Sequence, residues 1–307
     1  MADITDTAPV GLTKAKEEVV PLAPRKRIRW NVVGDHAILI LGSLFMVVPV
    51  YLVFMTASHD QLLIHREGMQ WWFGDLFVEN FRDAMFEKGG FTDTVDGMRM
   101  LTNSMILGIG FAVGKIIISM LAAYAIVYFR LKFATLAFWV IFTTLLLPLE
   151  VRILPSYEVI QGLGLTNTYT GLIVPLIASA TGTFFFRQFF RSVPEELIEA
   201  ARIDGAGPVK FFIDILIPLS RTMIAAIFII MFVFGWNQYL WPTLITTEEG
   251  FFTLVRGIRQ IVQTYTGSEI PQYGQAMALA IIAMLPPVLI VLFFQNWFVK
   301  GLTESDK

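Results

Sequence analysis

Six stretches of this 307-residue chain are apolar for long enough to cross a lipid bilayer as helices, and that feature removes most folds from consideration. Crossing about 30 Å of hydrocarbon takes about 20 residues of helix, and every backbone polar group must be satisfied inside the segment because lipid offers no partner. The stretches cover approximately residues 36–57, 103–129, 134–154, 168–187, 221–242 and 274–299. Five contain uncharged runs of 17 residues or more, and the second is interrupted by Lys115. Composition agrees: 16% of the residues are charged, against about 25% in soluble domains. The expected fold is an all-α membrane protein with six transmembrane helices.

Several function classes fall away on chemistry. A net charge of -2 offers no global field for nucleic acid, so no nucleic-acid partner is expected. The absence of cysteine removes disulfides, thiolate zinc sites and cysteine nucleophiles. His36, His59 and His65 lack metal-ligand spacing, and no nucleophile and base are grouped, so neither a metal site nor a catalytic residue is expected and the chain does not read as an enzyme.

Residues 1–35 are polar, with Arg25, Lys26, Arg27 and Arg29 near their end, and predict a disordered cytoplasmic tail ahead of a membrane domain over 36–307. The first apolar run is too long and begins too late for a cleaved signal peptide. Six crossings place both termini on one side. A cytoplasmic N-terminus gives that face 15 Lys and Arg residues against seven on the other, which fixes the expected orientation in the inner membrane. Pro49, Pro148, Pro175, Pro286 and Pro287 fall within crossings, where each removes a backbone donor and favours a kink. The loop over 58–100 is expected to be external. Its Trp71-Trp72-Phe73 reads either as an anchor in the lipid headgroup layer or as a contact for an external partner.

The most informative segment lies between the fourth and fifth crossings. Ser192 with Glu195 has capping-box spacing, and Pro194 suits a first helical turn. Gly205-Ala206-Gly207 marks the stop, and Pro208 opens a second helix. The first helix sets Leu197, Ile198, Ala200, Ala201 and Ile203 among Glu195, Glu196, Glu199, Arg202 and Asp204. Such a surface fits a partner's groove or rests on the bilayer, and its acidity disfavours anionic lipid.

At this point the chain resembles a known family. Glu199-Ala200-Ala201, three residues, Gly205, nine residues, Ile215, one residue, then Ile217-Pro218 is similar to the EAA loop of ABC importer permeases, with Ile217 where leucine is usual. The resemblance implies a type I ABC importer permease fold, in which Glu199, Ala200, Ala201, Asp204, Gly205 and Pro218 belong to a coupling loop that docks on a cytoplasmic ATPase. The layout resembles the carbohydrate-type branch, related to the inner subunit of the maltose importer, and Leu147 to Pro155, Phe186 to Phe190, Glu199 to Ala206 and Gly235 to Pro242 look particularly like permeases for sn-glycerol-3-phosphate. That implies translocation of sn-glycerol-3-phosphate or a related glycerophosphodiester by alternating access. The implied partners are a second permease subunit, two ATPase subunits, a periplasmic solute-binding protein and membrane lipid. It also implies that ATP and Mg bind the partner ATPases, with no cofactor on this chain. Gly110 to Ile116 lacks phosphate-loop spacing, whereas Gly110 and Gly114 have the small-xxx-small spacing that lets helices approach closely.

Ionisable residues inside a membrane are costly and mark function by default, which singles out Lys115, Glu150 and Arg152. Glu150 and Arg152 are two apart, so they point in different directions and do not pair. Arg152 can receive an anionic solute through planar two-point contacts, or it snorkels or pairs at an interface. Trp236-Asn237-Gln238-Tyr239 offers amides and ring faces to a polyol, or serves as an aromatic belt and a helix-joining polar cluster. These residues, with Glu150 and Arg152, form the candidate solute path. A neutral sugar, oligosaccharide or polyol would use the same fold and differ only in pocket residues. A secondary transporter driven by an ion gradient calls for paired intramembrane carboxylates and inverted repeats, and neither stands out.

Overall fold

The computed structural model describes residues 30–87, 95–263 and 270–303, all helix and connecting loop with no strand among them. Compact units run over Met1–Val48 and Pro49–Lys307. In the first, the described residues belong to α1 (Trp30–Thr56), which begins six residues before the expected crossing, so the end of the predicted tail is helical. The rest of that tail lies outside the described residues.

In the second unit, α1 ends at Thr56 and is followed by α2 (Gln61–Glu67), α3 (Phe77–Phe86) and the 32-residue α4 (Gly97–Tyr128). Asp60 and Asp96 cap α2 and α4 by accepting from the amides of Leu62 and Arg99, satisfying donors that a helix start leaves free. Then come α5 (Ala134–Thr143), α6 (Leu149–Gly162), α7 (Tyr169–Ile173), α8 (Ala180–Ser192), α9 (Glu195–Ile203), α10 (Pro208–Phe211) and α11 (Ile217–Leu219). The chain closes with α12 (Arg221–Trp236), α13 (Leu240–Ile245), α14 (Leu254–Gln263) and α15 (Tyr273–Thr303).

Three helices are individually long and apolar enough to span a membrane: Val32–Thr56, Gly97–Tyr128 and Tyr273–Gln295. Six crossings result when each of three bent pairs counts as one: Ala134–Leu146 with Glu150–Gly162, Tyr169–Leu176 with Ala180–Ser192, and Pro208–Leu219 with Arg221–Trp236. These pairs bend by 105°, 52° and 74°. The crossings expected over 134–154 and 168–187 are therefore bent within their bounds, and the one expected over 221–242 follows a bend and ends as a helix at Trp236. Pro148 holds Leu147 extended, as the residue before a proline must be, and so divides α5 from α6. The second break follows Pro175, and Ser179 restarts the helix by accepting from the Gly182 amide. Pro49, Pro286 and Pro287 remain inside continuous helices.

The core forms where α4 packs against α8 and α12, with α15 beyond α12. Phe186, Phe190, Phe232, Trp236, Met100 and Leu216 are almost fully buried there. Small residues set the spacing. A Cβ on Gly110 or Gly114 would meet Ile173 or Ile177 at 2.6 and 2.5 Å, which bears out the close helix approach their spacing predicts.

Candidate functional site

The helix-turn-helix is present, with its first boundary built differently from expectation. Ser192 ends α8 and donates its hydroxyl to the Phe189 carbonyl, so no capping box forms, and Pro194 takes the cap position of α9. Glu195 and Glu196 in the first turn complement the helix dipole instead. At the other end Gly205 adopts φ +73°, the left-handed stop, and Pro208 occupies the first position of α10. Gly207 has φ -68°, so of the two glycines at the stop Gly205 is the one in the left-handed region. Beyond it the chain widens to a π turn over Phe212–Leu216 immediately ahead of Pro218, whose missing N–H would break a regular ladder there.

α9 has two apolar sides. Glu199, Ala200, Asp204 and Gly205 face outward beside Leu197 and Ile203, the latter 85% exposed, and Val209 and Pro218 are exposed on the following segment. Ala201 is turned the other way and is 4% exposed. It borders a cavity of about 260 Å³ with Tyr124, Tyr128, Ile198 and Phe211. Two tyrosines at the end of α4 hold this arrangement: the Tyr124 hydroxyl donates to the Pro208 carbonyl at 2.9 Å and the Tyr128 hydroxyl to the Phe190 carbonyl at 3.0 Å. Their rings lie against Phe211, Phe212 and Phe190. The sequence reading missed both. A tyrosine pair four residues apart at a helix end, next to the loop, is the signal that points to them.

Among the intramembrane ions, Glu150 and Arg152 lie in the first turn of α6, just past the Pro148 break, rather than at the end of one continuous crossing. Both are exposed in the single chain; they do not pair with each other, as their spacing predicts, and among the described residues neither has another ion-pair partner. Lys115, near the middle of α4, is 8% exposed. Its Nζ lies 4.3 Å from the Phe111 ring centroid and 5.6 Å from that of Phe234. A cation on a ring gains about 0.5–2 kcal/mol. Placing a lysine at the centre of a membrane helix costs about 2.5–3.5 kcal/mol, so the rings do not balance it alone.

The Trp236 to Tyr239 segment is not inside the fifth crossing, because α12 ends at Trp236. Trp236 is 1% exposed and its Nε1 donates to the Ala283 carbonyl of α15 at 3.0 Å. Gln238 is buried and donates to the Phe234 carbonyl. Trp236 thus ties α12 to α15, whereas Gln238 bonds one turn back within its own segment. Asn237 is exposed, while the Tyr239 ring lies beneath the Arg259 guanidinium at 4.2 Å. Nearby, Arg256 on α14 donates to the Thr246 carbonyl and hydroxyl and sits 3.5 Å above the Phe252 ring. Burial pushes Arg256 down to about 10, with Tyr239 opposing the shift, so it stays charged at neutral pH and is satisfied by oxygen.

Residues 115–304 match the family described as binding-protein-dependent transport system inner membrane component. The chain is 49% identical over 280 residues to the sn-glycerol-3-phosphate transport system permease protein UgpE of Brucella melitensis, covering 90% of this chain and 97% of that one. To the protein of the same name from Rhizobium meliloti it is 48% identical over 285 residues, 92% and 99% of the two chains. To that from Pectobacterium atrosepticum it is 47% identical over 273 residues, 89% and 96%. A chain of a bacterial ABC transporter involved in importing the acidic polysaccharide alginate superposes with a TM-score of 0.74 at 18% identity, covering 90% of this chain and all of that one, and shares the fold. The chain therefore belongs to the ABC permeases that form the inner-membrane component of binding-protein-dependent transport systems.

Proposed function

We propose that this permease carries sn-glycerol-3-phosphate, or a related glycerophosphodiester, across the inner membrane by alternating access. The observation that carries the solute assignment is 49% identity to a named glycerol-3-phosphate permease along 97% of its length. A second permease subunit completes the path, two ATPase subunits bind ATP and Mg, and a periplasmic binding protein delivers the solute. Both termini are cytoplasmic, in keeping with the 15 to seven distribution of Lys and Arg.

Coupling runs through α9 and its turn. Glu199, Ala200, Asp204 and Gly205 meet the ATPase, since they form the exposed side of a short helix ending in a left-handed glycine. Ala201 serves from within, its small side chain letting α9 sit close to Tyr124 and Phe211. Pro218 sets the 74° bend through which movement of the loop reaches α12. Closure of the ATPases moves α9 as a lever, and α4 and α12 transmit the motion.

The test is solute-dependent ATPase activity of the complex reconstituted with its partners and binding protein. Stimulation by glycerol-3-phosphate, and not by maltose or glycerol, is the expected result. Stimulation by neutral sugars alone would leave the family intact and overturn the solute.

A further inference from the structure

A basic cavity beside the coupling loop is the feature that neither the loop nor the candidate path uses. It measures about 500 Å³ and lies where the end of α4, the turn into α5, the last turns of α8 and α9 meet. Arg130, Arg187, Arg191 and Arg202 line it together with Glu195 and Glu199, so four guanidinium groups stand against two carboxylates and leave an excess of two positive charges. Among the described residues none of the four arginines forms an ion pair with either glutamate. The Arg187 guanidinium lies 3.9 Å from the Phe138 ring centroid, which fixes its place, but its Nε is shut off from solvent and has no acceptor. A buried donor in that condition is a deficit that a ligand can make good. Arg130 has φ +47°, a left-handed conformation that residues other than glycine avoid, so the turn between α4 and α5 is held in a strained form at the point where it brings a charge to the cavity.

A phosphate group answers this arrangement, because each guanidinium donates to two oxygens at once and phosphate offers more acceptors than a carboxylate. The surroundings say what carries the phosphate. Ala134 and Thr135 line the cavity, and the residues on either side of them, Phe133 and Leu136, are apolar and 71% and 60% exposed at the start of a membrane-crossing pair. Phe129 and Leu131, which flank Arg130, are about half exposed as well. A basic cavity with an apolar rim at the end of a crossing matches a phospholipid in both its parts, with charge at the headgroup and hydrocarbon alongside. A soluble anion has no use for the rim.

We infer that this cavity holds the headgroup phosphate of an anionic phospholipid drawn from the leaflet on the side of the coupling loop. Arg130 belongs to the turn between two crossings and Arg187 and Arg191 to the end of a third helix, whereas Arg202 belongs to α9, so one headgroup ties the loop to the membrane helices. The lipid then acts on coupling without touching solute or ATP. A filled site holds α9 in place, and an empty one leaves like charges facing each other across it. Zwitterionic lipid also carries a phosphate, but it brings a cation that the excess positive charge repels, which makes preference for anionic lipid the signature of the site.

The test uses the complete complex in nanodiscs of phosphatidylcholine with and without phosphatidylglycerol, reading retained lipid by native mass spectrometry and coupling by solute-stimulated ATPase activity. Two variants are compared with the unaltered protein. Arg130→Gln with Arg191→Gln removes two exposed charges, and Arg130→Lys with Arg191→Lys keeps them. The expected result is that the unaltered complex retains phosphatidylglycerol over phosphatidylcholine and is more active with it, that the glutamine pair loses about tenfold of that preference, and that the lysine pair keeps most of it. Equal retention by the glutamine pair and the unaltered complex would overturn the inference, as would equal loss in the glutamine and lysine pairs, which would assign the arginines to shape and not to charge. Loss of the ATPase subunits from the glutamine pair would overturn it by giving the arginines to that partner. Inorganic phosphate that abolishes the lipid preference, and raises activity in phosphatidylcholine alone, would make the occupant a soluble anion and overturn it too. Lipid retention involves no solute, so the inference stands or falls apart from the glycerol-3-phosphate assignment.

Discussion

The coupling loop and the buried Lys115 region are built on opposite plans. The loop presents a short helix, a glycine stop and small side chains to the outside, and its shape follows from residues next to one another in the chain. Around Lys115 the contacts join two helices far apart in sequence, Phe111 on α4 and Phe234 on α12, with no carboxylate partner among the described residues. A site made for a protein partner is complete in its geometry before the partner arrives. A buried lysine held by rings is left incomplete in its charge.

The largest effect that can test this contrast lies at Gly205. A Cβ there meets nothing within 4 Å, so any harm from substitution comes from the φ of +73° and from the partner surface. Forcing a β-branched residue into the left-handed region costs about 1–2 kcal/mol, enough to reduce the docking-competent population by about tenfold. Gly205→Val is expected to abolish most solute-dependent ATPase activity, while Gly205→Asn, which tolerates that geometry, retains much more. Equal activity in the two would show that backbone shape at the turn is irrelevant to coupling.

Next in size is the division between Ala200 and Ala201. Ala201→Glu brings a carboxylate into the buried space beside Tyr124, Tyr128 and Phe211 and is expected to cost about 1–3 kcal/mol in thermal unfolding of the purified chain. Ala200→Glu, on the exposed side, is expected to leave unfolding within about 0.5 kcal/mol and to weaken association with the ATPase. If both variants unfold alike, the inward and outward faces of α9 are wrongly assigned. A smaller effect is expected at Arg152, where Arg152→Gln should lower uptake at subsaturating solute by about fivefold through loss of one charged contact. Unchanged uptake would leave Arg152 outside the path.

These predictions also show what the sequence carried and what it withheld. Gly205 and Pro208 announce the turn because their backbone constraints are intrinsic, and the long apolar runs announce six crossings because lipid demands internal hydrogen bonding. Ser192 misled, since its hydroxyl reaches back to Phe189 and does not reach the next helix. The 105° bend at Pro148 was visible only as a proline, because neighbours decide between a kink and a break, and Pro286-Pro287 breaks nothing in α15. Trp236 and Gln238 looked like solute ligands as residue types, but the Trp236 donor goes to Ala283 of α15 and a Gln238 amide donor to Phe234 one turn back. Around Lys115, Phe111 is within reach of a helical reading at four residues' spacing. Phe234, from another crossing, is not.

The smallest expected effect concerns Tyr124 and Tyr128, the one place where the two regions are mechanically joined, since both tyrosines belong to the helix that bears Lys115 and both reach the loop. Replacing either by phenylalanine keeps the ring contacts and removes one hydrogen bond to a carbonyl, about 0.5–1.5 kcal/mol. The acceptors differ, Pro208 on the second helix of the loop and Phe190 near the end of α8, so two independent losses should add within about 0.5 kcal/mol. If α4 transmits the motion of α9 to Lys115, Tyr124→Phe should lower solute-stimulated ATPase activity more than Tyr128→Phe, because Pro208 moves with the loop while Phe190 belongs to a membrane helix. Equal effects would instead make the tyrosine pair a static brace and would place the transmission through Pro218 and α12.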